Sequence, residues 1–280
     1  MRKRTVAAIS LGVVLALAAI VAIAVVVLTQ SDWGRSKIGS YVIDQVRGAA
    51  HGHVTVDRID GNLLNGATLV GVNVTDSTGA PFVHADTVVL HYKLAELAAK
   101  RLYFNDVRIV RPVVVIERMP GGKWNYDRIF PRDTTLPPAP PGFLSWLALR
   151  NVTVVDGHVT SRSPWAPSDT LKPSVRDSII RVAMGPIGRL NLKRVTGGFQ
   201  KTSDFRDIYG TFPLMRLEDP NDRRQIIDVS TIRMTAEPLK PPSVRVTDAK
   251  GRFILLGDSL YFKDITASLA DSRLSGGNGR

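Results

Sequence analysis

The spacing of apolar and polar positions along this chain changes character twice. From Val6 to Leu28, VAAISLGVVLALAAIVAIAVVVL runs for 23 residues without a charge. At about 1.5 Å rise per residue, such a helix crosses a hydrocarbon core of about 30 Å. Ser31 to Ala49 predicts a second helix, capped by Ser31 or Asp32, with Ile38, Val42 and Val46 on one face. From Val54 the period falls to two. Val54 and Val56 alternate with polar neighbours, as do Val70, Val72 and Val74, which predicts half-buried strands. LYFNDVRIVRPVVVIER, 102–118, continues the strand signal on both sides of Pro112, a residue that cannot donate to a ladder and so marks an edge, a bulge or a break.

One helical pattern interrupts the strands. KLAELAAKRL, 93–102, places Leu94, Leu97, Ala98 and Leu102 along one face and predicts a helix covering the sheet. The Pro-rich PRDTTLPPAPPG, 131–142, reads as an extended connector between two β-rich lobes. In the second lobe, the Asp156-Gly157 pair within NVTVVDGHVT predicts a hairpin, because a tight turn needs positive φ. Residues 161–180 are polar and proline-punctuated and fit no single element.

Two stretches look alike. VNVTDSTGAPFVHADTVVL from Val72 and VRVTDAKGRFILLGDSLYF from Val244 share V-x-V-T-D-x-x-G, an apolar run, Asp with a small hydroxyl residue, and a second apolar run. The pattern predicts a β-meander used twice, with turns at Asp76–Gly79 and Asp248–Gly251. On that reading Gly257-Asp258 links two strands, Ser259 opens the second, and Thr87 is its counterpart.

Charge locates the chain. Arg2, Lys3 and Arg4 precede the apolar segment, so the positive-inside rule keeps residues 1–5 in the cytoplasm and sends everything after Leu28 across the membrane. The segment is longer than the apolar core of a cleaved signal peptide, which predicts a retained anchor. The net charge of +12 then favours anionic membrane surfaces, and nucleic acid drops out as a partner. With no cysteine, disulfides and thiolate chemistry are impossible.

The chemical candidates are thin. GDSL at 257–260 spells the nucleophile motif of a hydrolase family, yet no histidine follows Ser259 to serve as its base. A membrane-tethered serine esterase using Ser259 is therefore the remote alternative. His51-x-His53 lacks a third metal ligand at recognisable spacing. MPGGKW, 119–124, lacks Walker spacing and reads as a turn, with Trp124 as a packing anchor. The Asn-x-Thr sites at Asn73 and Asn151 fall within predicted strands. No catalytic residue, metal or cofactor is expected.

The order of elements carries a resemblance. The anchor at 6–28 is followed by VDRIDGNLLNGATLVGVNVTD at 56–76, the segment 82–118, GGKWNYDRI at 121–129, LRNVTVVDGHVTSR at 149–162 and the segment 253–280. This arrangement resembles the N-terminal region of the AsmA-like family, which includes TamB-type proteins of the bacterial envelope. The resemblance implies a single-pass inner-membrane protein with a periplasmic body, whose sheet shields phospholipid acyl chains for transport or membrane homeostasis. Family members are often far longer than this chain.

The expected fold is mainly β, with an N-terminal transmembrane helix, a few short helices and an elongated, curved antiparallel β-sheet groove; closed β-sandwiches would give the same pattern. The expected organisation is a tail at 1–5, an anchor at 6–28, a helix plus β-rich lobe at 29–130, the connector at 131–142 and a second lobe at 143–280. Strand periodicity selects Val72, Val74, Val88, Leu90, Val113 and Val115 as lipid-facing groove residues. The expected partners are phospholipids and the inner membrane, through residues 6–28. The alternative function is an anchored scaffold that binds other envelope proteins.

Overall fold

The computed structural model describes residues 52–129 and 146–279, except 62–64, 94, 97, 98, 100, 241, 257, 258, 270 and 271. The anchor at 6–28, the helix expected at 31–49 and the connector at 131–142 lie outside the described residues. No helix among those described is long and apolar enough to cross a membrane. The helix expected at 93–102 also lies partly outside them; Ala95 and Glu96 are helical, but Leu102 already opens a strand.

The first five strands are β1 (His53–Asp60), β2 (Gly66–Thr75), β3 (Pro81–Tyr92), β4 (Leu102–Val110) and β5 (Val113–Glu117). The short helix α1 (Asn125–Ile129) precedes the long strand β6 (Leu147–Trp165), and α2 (Pro173–Met184) follows it. Then come β7 (Leu192–Val195), β8 (Gly198–Glu218), β9 (Gln225–Glu237), β10 (Val244–Leu256), β11 (Ser259–Leu269) and β12 (Arg273–Gly279). All twelve belong to one sheet, ordered β1-β2-β3-β4-β6-β8-β9-β10-β11-β12, with β5 against β3 and β6, and β7 against β8.

The chain is thus mainly β, but the sheet is mixed where an antiparallel one was expected. β4 and β5 both run parallel to β6, a pairing that requires a crossover of a dozen or more residues. Pro112 breaks the strand between β4 and β5, which fill successive parts of one lane between β3 and β6. Described strands on both sides of the Pro-rich segment therefore share one sheet and one core.

A row of paired residues defines the apolar face. Tyr92 pairs with Phe104, Phe104 with Leu149, Leu149 with Met215, Met215 with Ile227, Ile227 with Phe253, and Phe253 with Phe262. Cross-strand partners point to the same side, so this face is apolar from β3 to β11. The opposite face is polar, with pairs such as Arg252 to Asp228 and Arg111 to Asp86.

Bulges keep that face apolar along strands too long to stay flat. Phe104 and Val107, Leu149 and Val152, and Phe205 and Ile208 are each three residues apart, and both members of every pair face the apolar side. Simple alternation would turn one of each pair outward. The residue before the second apolar one is left-handed instead: Asp106 (φ 51°), Asn151 (52°) and Asp207 (53°). Asp and Asn visit this region most readily among residues with side chains, and the extra residue re-aims the side chains beyond it.

The Asp156-Gly157 pair belongs to this set. β6 runs unbroken from Leu147 to Trp165, Asp156 has φ 59°, and the register against β8 slips between Val154 and Gly157. The predicted hairpin is a bulge, because positive φ serves either purpose. The proposed repeat fails for the same reason. Asp76–Gly79 does make the β2–β3 turn, with Asp76 Oδ1 accepting from the Thr78 and Ala80 N–H groups. Asp248–Gly251 instead lies inside β10, and Thr87 sits mid-strand opposite Val70 and Val110.

FILLGDSLYF does form a hairpin: Leu256 pairs with Ser259, which opens β11. GGKW also turns as expected, with Gly122 N–H donating to the Met119 carbonyl at 3.0 Å.

Candidate functional site

The apolar face has a closed end and an open end. At the closed end Phe82, Phe104, Leu69 and Leu90 are fully buried, and α1 adds Tyr126 and Ile129 to the same core at the end near the β2–β3 turn. Trp124 stacks on Tyr126 at 5.7 Å between ring centroids. Asn125 anchors the helix, accepting from Glu117 N–H at 3.0 Å and donating to the Val115 carbonyl at 2.6 Å. At the other end of β3, burial pushes the Tyr92 hydroxyl up to about 12.

A buried ion pair holds α1 in place. The Asp76 carboxylate, in the β2–β3 turn, has no exposed surface. It accepts from Arg128 of α1 at 2.5 and 2.9 Å. Burial raises the pKa of Asp76, but hydrogen bonds from Thr78, Arg128 and Ala80 outweigh it and hold the group at about 2.

Beyond β6 the same face opens into an apolar cavity of about 260 Å³. Val114, Val159 and Phe205 form one wall as a paired row across β5, β6 and β8. Phe212, Met215 and Ile227 form another, and Ile232 and Met234 close the β9 side. Gly157 lines it, and Gly210 lies against the lining residues Phe212 and Ile232. A Cβ on Gly157 would stand 3.1–3.3 Å from Val154, Ile208 and Pro112, and one on Gly210 would crowd Phe212 and Ile232. Side chains at these points would fill the space.

Polar groups gather on the reverse of these strands. His158 Nε2 lies 2.7 Å from Asp204 Oδ1, Thr160 Oγ1 donates to that oxygen at 2.9 Å, and Arg206 pairs with Asp204 and Glu237. These residues alternate with Val159 and Phe205, so the sheet is wettable behind the cavity and apolar within it.

The groove residues chosen from periodicity are not the ones that line this space. Val72, Val74, Val88 and Leu90 are 0–1% exposed, leaving no surface for a ligand. Val113 and Val115 are half-buried and alternate with the core residues Val114 and Ile116, on the other side of β5. The periodicity put Val72, Val74, Val88 and Leu90 on the apolar side but chose the wrong side of β5, and it could not tell a covered part of the face from an uncovered one.

Phe205, Ile208, Phe212, Ile232 and Met234 were missed. For Phe205 and Ile208 the signal was the recurring FNDV at 104–107, FRDI at 205–208 and FKDI at 262–265, each an aromatic, two polar positions and a β-branched residue around a left-handed Asp; Phe212, Ile232 and Met234 carry no such motif. Ser259 is separated from His158 by β8, β9 and β10, roughly 19 Å along the sheet at about 4.8 Å per strand. His158 is in any case held by Asp204. Comparison with models of known protein families finds no match, and comparison with curated proteins finds none.

Proposed function

We infer that this chain is a membrane-anchored, AsmA-like envelope protein that shields lipid acyl chains on the apolar face of an elongated, curved sheet. The cavity past β6 carries the reading: an open apolar space of about 260 Å³ continuous with the core. A dry cavity of about 150 Å³ already admits benzene, so a segment of acyl chain fits this one. Apolar surface removed from water contributes about 25 cal/mol per Å², enough for passive binding without a covalent step. In-line bulges at Asp156, Asp207 and Asp264 support a curved sheet, since each increases local twist and bends its strand. The uncharged segment at 6–28 and its preceding basic residues support an inner-membrane anchor with the sheet in the periplasm.

Site-specific photocrosslinking tests the reading. With benzoylphenylalanine at Phe205 or Met234, phospholipid adducts are expected; the same probe at half-buried Val113, on the other side of β5, gives none. Protein adducts alone at Phe205 and Met234 would overturn lipid shielding in favour of a scaffold for envelope proteins.

A further inference from the structure

The helix α2 is an outrigger on this sheet. None of its residues is buried, and its connections to the body include Lys240 N–H to the Arg189 carbonyl and Lys240 Nζ to the Gly185 carbonyl. A 12-residue helix is marginal in water without a packed face. Pro173 at its start helps fix the first turn but does not replace that packing.

Helical spacing separates two sides. Ile180, Met184 and Arg181 face the sheet across a cleft that also contains Arg194 and Phe199. Val175, Ile179 and Val182, at i, i+4 and i+7, form a stripe on the side away from that cleft. They are 43%, 36% and 52% exposed, and Ile187 just beyond the helix is 80% exposed. The stripe is apolar, it points away from the protein, and none of the described residues covers it.

The charges around it select the partner. Lys172 and Arg176 stand beside the stripe, Arg176 paired with Asp169 at 2.9 Å. Arg181 and Arg194 line the cleft behind it with Asp177. Arg189 and Lys193 follow the Ile187 turn, so the segment is net basic. Protein interfaces are depleted in lysine and charge at their core, whereas an interfacial helix combines an apolar stripe with basic flanks that meet anionic headgroups. We propose that α2 and the Ile187 turn dock in the plane of a bilayer bearing anionic phospholipid. This site is distinct from the cavity. Phe199, in the cleft behind α2, and Phe205, in the cavity wall, are six residues apart on β8, about 20 Å at strand rise. Docking would therefore hold the cavity one short strand length from a lipid surface.

The absence of cysteine permits a direct test on the full chain. Single cysteines at Val182, Ile187 and, as a control in the turn at the far end of β8, Asn221 are labelled with a polarity-sensitive fluorophore. The labelled protein is reconstituted into vesicles of phosphatidylcholine alone or with phosphatidylglycerol, each containing lipids with nitroxide on the acyl chain. Quenching and a blue shift are expected at Val182 and Ile187 with phosphatidylglycerol and not at Asn221. Arg176→Gln should shift the docking equilibrium about fivefold toward the undocked state. Equal quenching at all three sites, no dependence on phosphatidylglycerol, or burial of the Val182 probe without nitroxide quenching would overturn the proposal, the last by pointing to a protein partner. These outcomes do not depend on whether lipid crosslinks to Phe205.

Discussion

The row of residues from Tyr92 to Phe262 passes through two environments on a single face. Tyr92, Phe104, Leu149 and Met215 are buried at 0–4% exposure, while Ile227, Phe253 and Phe262, paired in direct continuation, are only half-buried. Residue type does not distinguish them, since aromatic and aliphatic side chains occur in both halves. What differs is cover: the first half lies inside the main core cluster, and the second half is left partly open. Packing is therefore uneven along the sheet, with the closed end contributing buried core and the open end leaving the same apolar chemistry partly exposed.

Paired truncations give the largest test of that division. Phe104→Ala should cost about 3–5 kcal/mol, the range for a large aromatic lost from a packed core. Phe253→Ala removes the same atoms from a half-buried site and should cost about 1 kcal/mol. Denaturant unfolding of both variants measures the difference. Equal losses would mean that the face is as closely packed at β10 as at β4 in solution.

The docking of α1 at the β2–β3 turn responds to acid. The folded-state pKa of Asp76, about 2, lies below its ordinary 3.8. Its stabilisation is therefore complete above the ordinary value and is lost as pH falls through about 2. The shift corresponds to about 2 kcal/mol at neutral pH. Asp76→Asn should lose about that much at pH 7 and flatten stability between pH 4 and 2. Because Asp76 holds α1 through Arg128, binding of a hydrophobic dye near Trp124 should increase in the variant. A variant that loses stability without changing its acid dependence would place the cause outside the ion pair.

Much of the architecture is legible in the amino-acid pattern. Alternation at Val70, Val72 and Val74 marks β2, Pro112 marks the break between β4 and β5, and Gly257-Asp258 marks the hairpin that ends with Ser259. Asp-Gly at 156–157 misleads because the local requirement, positive φ, is common to turns and bulges; only the pairing of Gly157 with Ile208 on an unbroken β6 distinguishes them. The parallel pairing of β4 with β6 is illegible for a related reason, since strand direction depends on a crossover that leaves no mark on either strand's pattern. The cavity residues are hidden by tertiary cover. Phe104 and Phe205 begin near-identical tetrapeptides, yet one is buried in the main core and the other walls an open space.

The bulges allow the finest adjustment of the contrast. Asp207 holds φ 53° and accepts a hydrogen bond from Thr235 Oγ1 at 2.9 Å, while keeping Phe205 and Ile208 on one face. Asp207→Val introduces a β-branched residue where only Gly, Asn and Asp sit comfortably, and should cost about 1–2 kcal/mol. Asp207→Gly keeps the backbone accessible and loses only the side-chain bond, so its change should stay within about 1 kcal/mol. The two variants differ in whether the bulge is retained, so the photocrosslinking pattern at Phe205 should survive in the glycine variant and weaken in the valine variant. An unchanged pattern in both would show that cavity shape is set by the neighbouring bulges at Asp156 and Asp264, with Asp207 contributing stability alone.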